Sequence, residues 1–134
     1  MGPLLVVDAA NVVGSVPDGW WRDPAAAATR LRDALAPVAA GGLPDAPVEL
    51  APPLEVVLVV EGASRGVQSS AGVRVVAASG SGDDAIVDLV RPTVGARVCV
   101  VVTADRELRE RVSEFGAHVL GPRSLPYAGR RTGS

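Results

Sequence analysis

The chain has 134 residues, 48% hydrophobic and 21% charged, with a formal net charge of −2. That is the length of one compact domain, able to bury a core without a disulfide or structural metal. A lone cysteine, Cys99, excludes an internal disulfide, the longest apolar runs are five residues and cannot span a bilayer, and the small net charge exerts no global pull on nucleic acid. With no signal-like apolar segment at its start, the chain is expected to be cytoplasmic.

The chain carries 24 valines but four aromatic residues, which favours a parallel sheet buried on both faces over an aromatic-rich sandwich. All 13 basic residues are arginine. Without lysine, a P-loop and Schiff-base chemistry are excluded. Receiver domains and haloacid-dehalogenase-type phosphatases also normally carry one.

In chain order, Leu4–Asp8 reads as a short apolar strand ending in an acid. Asp23 and Pro24 form an N-cap and first-turn pair, and the stripe Ala27, Leu31, Leu35, Val38 continues a helix to Gly41 and Gly42. Residues 43–53 hold four of the eleven prolines and read as a surface connection. Residues 55–61 repeat the strand form, five apolar residues between two glutamates. Residues 62–72, rich in Gly and Ser, read as a loop or a poorly formed helix.

Residues 73–78 form a third strand. Ser81 and Asp84 have capping-box spacing before Ile86, Leu89 and Val90, and Pro92 stops that helix. Residues 98–102 are a fourth strand, followed by Thr103 and by Asp105, which opens a helix through Leu108, Val112 and Phe115 to Gly116. His118–Leu120 is a weaker fifth strand. Residues 1–129 read as a single domain without internal repeats, and 130–134 as a disordered tail. Strands alternating with helices imply right-handed crossovers and a three-layer α/β/α sandwich with a mainly parallel sheet of about five strands. Ligands bind such sheets beyond the carboxyl ends of the strands.

Acids gather at those ends. Asp8 follows the first strand, with Asn11 three residues on; Glu61 closes the second; Asp83 and Asp84 open the helix after the third; Asp105 opens the helix after the fourth. In a parallel sheet they project toward one edge, where like charges repel unless a cation intervenes. A hard divalent ion, Mg²⁺ or Mn²⁺, suits oxygen ligands; it can generate hydroxide at neutral pH and stabilise charge on a phosphodiester. Structural roles compete: Asp84 completes a capping box, Asp105 caps its helix, and Glu61 is a solvated strand end. Asp8, before two alanines, caps no helix visible in the sequence.

Val6-Val7-Asp8-Ala9-Ala10-Asn11, Ser81-Gly82-Asp83-Asp84 and Val101-Val102-Thr103-Ala104-Asp105-Arg106-Glu107-Leu108 together resemble the PIN-like nuclease superfamily. Within it they resemble the NYN domain group and its bacterial YacP-like branch. The likeness runs from Leu4 to about Leu125. It implies strand order 3-2-1-4-5 and a metal-dependent endoribonuclease acting on single-stranded or structured RNA. By that likeness Asp8, Asp83 and Asp105 are catalytic metal ligands, Glu61 or Asp84 adds a further carboxylate, and Asn11 and Thr103 orient the set. The second strand departs from the pattern, ending Glu61-Gly62-Ala63 where the family often has an Asp-rich stretch.

Trp20, Trp21 and Arg22 can stack on unpaired bases, although one Trp is expected to anchor packing. Arg65 and Arg106 are further RNA-contact candidates. His118, remote from the acids in sequence, reads as structural, and no serine has a partnered His and Asp. Gly80-Ser81-Gly82 has the form of a phosphate cradle, but the two acids that follow oppose it. The competing function is an RNA-binding or partner-binding module with weak or absent catalysis. A haloacid-dehalogenase phosphatase is rejected, since Ala9 and Ala10 stand where Asp-x-Asp is required.

Overall fold

A computed structural model describes residues 2–43, 46 and 50–127. Five strands form one sheet: β1 (Leu4–Asp8), β2 (Glu55–Val60), β3 (Val73–Ala77), β4 (Cys99–Val102) and β5 (His118–Leu120). Their order is β3-β2-β1-β4-β5 and every pairing is parallel. Helices α1 (Ala9–Gly14) and α2 (Pro24–Gly41) cover one face; α3 (Gly82–Val90) and α4 (Arg106–Glu114) cover the other.

Side chains alternate across a strand, so a strand covered on both faces must be apolar at every position. Leu5 and Val7 of β1 enter the core with Leu31 and Leu35 of α2, whereas Leu4 and Val6 enter the opposite core with Ile86 of α3 and Leu108 of α4. This explains the valine runs: branched side chains fill both layers at low entropic cost. Tyr127 closes the α2 layer, its hydroxyl donating to the Ala27 carbonyl at 3.1 Å. At the sheet margin, the Val75 amide of β3 donates to Ser69 Oγ at 2.8 Å, so the chain shields part of its own edge.

The expected strands and the three long helices appear where the sequence places them, with Asp23, Ser81 and Asp105 each accepting a backbone N–H as N-cap. One element differs. Asp8 does cap a helix, the six-residue α1, accepting from the Asn11 amide. Fewer than two turns, centred on β-branched Val12 and Val13, leave no helical periodicity to read. The proposed tail at 130–134 lies outside the described residues. No described helix is long and apolar enough to cross a membrane.

Leu31 is wholly buried between α2 and the sheet. Leu31→Ala should lower the unfolding free energy by about 2–5 kcal/mol in denaturant titrations. A loss below about 1 kcal/mol would contradict this packing of α2.

Candidate active site at the carboxyl edge of the sheet

Register builds the site. Val7 pairs with Val102, so the residues that follow them, Asp8 and Thr103, leave adjacent strands side by side. Both are buried, Asp8 at 5% exposure and Thr103 at 0%. The Thr103 hydroxyl donates to Asp8 Oδ2 at 2.9 Å, and Thr103 Oγ1 accepts the Asp105 amide at 3.1 Å. Asn11 Oδ1 accepts the Ala104 amide at 2.8 Å, tying α1 to the β4–α4 loop. Asp8 Oδ1 accepts the Asn11 amide at 3.4 Å, and Asp105 Oδ1 accepts that of Leu108 at 3.1 Å. Asn11 and Thr103 thus hold the Asp8 and Asp105 segments together.

Asp83, half-buried in the first turn of α3, joins from the other side of the edge. Its carboxyl is raised above the ordinary value, first by desolvation, then by Asp105; Arg111 opposes this, and Glu61 and Glu107 reinforce it. The Asp8 carboxyl is pushed from 3.8 to about 6, chiefly by burial. Its bonds from Thr103 and Asn11 lower it, and the charges of Asp83 and Glu61 raise it. Glu61 reaches the cluster because Gly82 is glycine: a Cβ there would lie 2.6 Å from Glu61 Oε2.

Asp84 stands apart. Its carboxylate is exposed and pairs with Arg111 of α4 at 3.2 Å, while its amide donates to Ser81 Oγ at 3.2 Å. The capping arrangement expected of Ser81 is present, and the Asp84 carboxylate bridges α3 to α4. The roles of Glu107 and Arg111, and of Gly82 as clearance for Glu61, have no assignment in the sequence reading. Glu107 stands two residues after Asp105, and that spacing on the first turn of α4 is the signal the sequence offers.

The donor set suits a hard cation: carboxylates from four strand ends act on one another, those of Asp8 and Asp83 are raised, and a glycine clears space for Glu61. Among the described residues, however, no three His, Cys, Asp or Glu side chains are grouped closely enough to enclose an ion. The charge and chemistry fit Mg²⁺ or Mn²⁺; a closed ligand sphere requires side-chain rotation.

The aromatic candidates divide. Trp20 packs against the core, and Trp21 is 58% exposed. Their rings meet edge to face at 6.1 Å between centroids, with the Arg22 guanidinium 5.6 Å from the Trp21 centroid. Arg65 is exposed after the turn Gly62–Ser64, and Arg106 is exposed at the start of α4.

Because its folded value exceeds the unfolded one, the Asp8 carboxylate opposes folding. The penalty is absent below about pH 4, grows through about pH 6 and is complete above it, reaching roughly 3 kcal/mol. In chelator, Asp8→Asn should therefore be more stable than the parent near neutrality, with the difference vanishing at about pH 4. A pH-independent difference in denaturant melts would show that Asp8 carries no such burden.

No family model and no curated protein matches the sequence. Among solved structures, the crystal structure of Rae1 (YacP) from Bacillus subtilis, a tryptophan-to-leucine mutant, is similar. It aligns with a TM-score of 0.71 at 18% identity, over 91% of this chain and 71% of that chain. The chain shares a YacP-like fold, and its parallel sheet in order 3-2-1-4-5 is consistent with a PIN-like architecture.

Proposed function

We propose that this chain is a metal-dependent endoribonuclease of the PIN-like, NYN type, with its acidic site at the carboxyl edge of the sheet. The observation that carries the reading is the electrostatic convergence of Asp8, Glu61, Asp83 and Asp105, residues far apart in sequence. Burial and repulsion at Asp8 and Asp83 cost stability at the carboxyl edge of a parallel sheet, and a purely structural role does not account for that cost. Fold similarity to Rae1 (YacP) supports a nuclease-type reading at the coarse level.

Asp8, Asp83, Asp105 and Glu61 would hold Mg²⁺ or Mn²⁺. When bound, the cation neutralises phosphodiester charge and acidifies water. The chain's own residues set the geometry. Thr103 fixes Asp8 through Oδ2, and the Leu108 amide engages Asp105 Oδ1, leaving Asp105 Oδ2 free to turn toward the edge. Asn11 keeps the β4–α4 loop against α1. Arg111, held by Asp84, offsets part of the charge at Asp83. Hydrolysis adds water across the P–O3′ bond, leaving a 5′-phosphate and a 3′-hydroxyl.

The acids that already cap helices favour a second reading, a binding module that keeps the fold without cleavage. Activity distinguishes them. Purified protein with Mn²⁺ should cleave unstructured RNA to 5′-phosphate products, and chelator should stop it. Asp8→Asn or Asp105→Asn should reduce kcat/KM by about 100-fold or more, on the order of 3 kcal/mol of barrier. RNA binding without metal-dependent cleavage would leave the module.

The two neighbouring acids separate by calorimetry. Asp83→Ala should weaken Mn²⁺ binding more than Asp84→Ala, whose carboxylate is engaged by Arg111. The reverse order would move the ligand role to Asp84.

A further inference from the structure

We propose that the cavity beside Glu61 is a nucleobase subsite, taking one unpaired base of a single-stranded RNA whose neighbouring phosphate lies at the acid cluster. The proposal deepens the endoribonuclease reading and rests on it for the placement of the phosphate.

The cavity has a volume of about 170 Å³ and is lined chiefly by Ala9, Ala10, Val13, Trp20 and Ala63, with Glu61 on its wall. It is smaller than the roughly 300–1,000 Å³ of pockets for drug-sized ligands, which suits a single flat ring system. Trp20 supplies an aromatic wall against which a base can pack, and the alanines leave the slot open beside it.

Continuity with the acids selects the occupant. Ala9 and Ala10 directly follow Asp8, and Glu61 both lines the cavity and acts on Asp8 and Asp83. A base in the slot and a phosphate at the acids would therefore belong to adjacent positions of one strand. Two exposed guanidinium groups sit next to lining residues in sequence, Arg22 between Trp20 and Pro24 and Arg65 directly after Ser64. Neither is ion-paired to a carboxylate among the described residues. Exposed positive charge on two of the segments that line an apolar slot matches a polyanion bearing aromatic groups better than it matches an apolar peptide side chain. A duplex cannot insert a base without losing a pair, so the slot selects single strands. With Glu61 and Ser64 as the polar lining, stacking dominates and base preference is weak.

The test uses a short labelled oligouridylate, with binding followed by anisotropy in chelator and cleavage followed in Mn²⁺. Ala63 is exposed, so Ala63→Leu fills the slot without disturbing the core. That variant should bind the oligonucleotide about tenfold more weakly and lose a similar factor in kcat/KM. Its Mn²⁺-induced thermal shift should remain parental. Trp20→Leu should weaken binding in the same direction. One abasic substitution in the oligonucleotide should weaken binding to the parent and have little further effect on Ala63→Leu, which locates the lost contact at a base. Parental binding by both variants overturns the subsite even if all three proteins cleave RNA, as does a parent that binds no RNA. Weaker binding by both variants with no cleavage by any protein supports the subsite and overturns the endoribonuclease reading.

Discussion

Everything at the acidic edge depends on a sheet that is parallel throughout and covered on both faces. Parallel strands cannot be joined by tight turns, so each connection crosses the sheet and each strand leaves at the same edge. With both faces covered, strand interiors are reserved for apolar side chains and polar chemistry is displaced to the strand ends. Asp8, Glu61 and Thr103 are the first residues free of that restriction on three neighbouring strands. The pairing of Val7 with Val102 then makes Asp8 and Thr103 neighbours despite 95 residues of separation.

The edge is electrostatically tense. A buried carboxylate beside other carboxylates is disfavoured twice, by lost hydration and by repulsion. The surrounding structure relieves some of this: Thr103 and Asn11 donate hydrogen bonds to Asp8, and Arg111 moderates Asp83 from α4. The Asp84–Arg111 pair also limits how far that guanidinium can travel toward the other acids. The remaining imbalance is the property that a cation would exploit.

The strands and long helices were legible because their signals are local. Valine-rich apolar runs of up to five residues, an Asp-Pro helix start and the Ser81 cap each describe structure within a few residues. The acids were legible as a set because strand-end position survives in one dimension once the sheet is taken as parallel. The division of labour between Asp83 and Asp84 was not, since it depends on Arg111, which arrives from another helix. Helix α1 was hidden by its length and its β-branched centre. The role of Gly82 was hidden because it consists of an absent side chain opposite Glu61, visible only when both segments are in place. The two tryptophans were separable only by packing: adjacent in sequence, they face different surroundings.

Asp8 and Asp105 are helix caps as well as members of the acidic edge. A ligand that rotates either carboxylate away from its helix takes the capping oxygen from the amide it had been satisfying, and an unsatisfied helix start frays. Ligand occupancy and order in the first turns of α1 and α4 are therefore thermodynamically linked, each able to weaken the other. The amides of Asn11 and Leu108 are built-in reporters of that exchange: their protection from solvent hydrogen should record how far each carboxylate has turned, without any substrate being present.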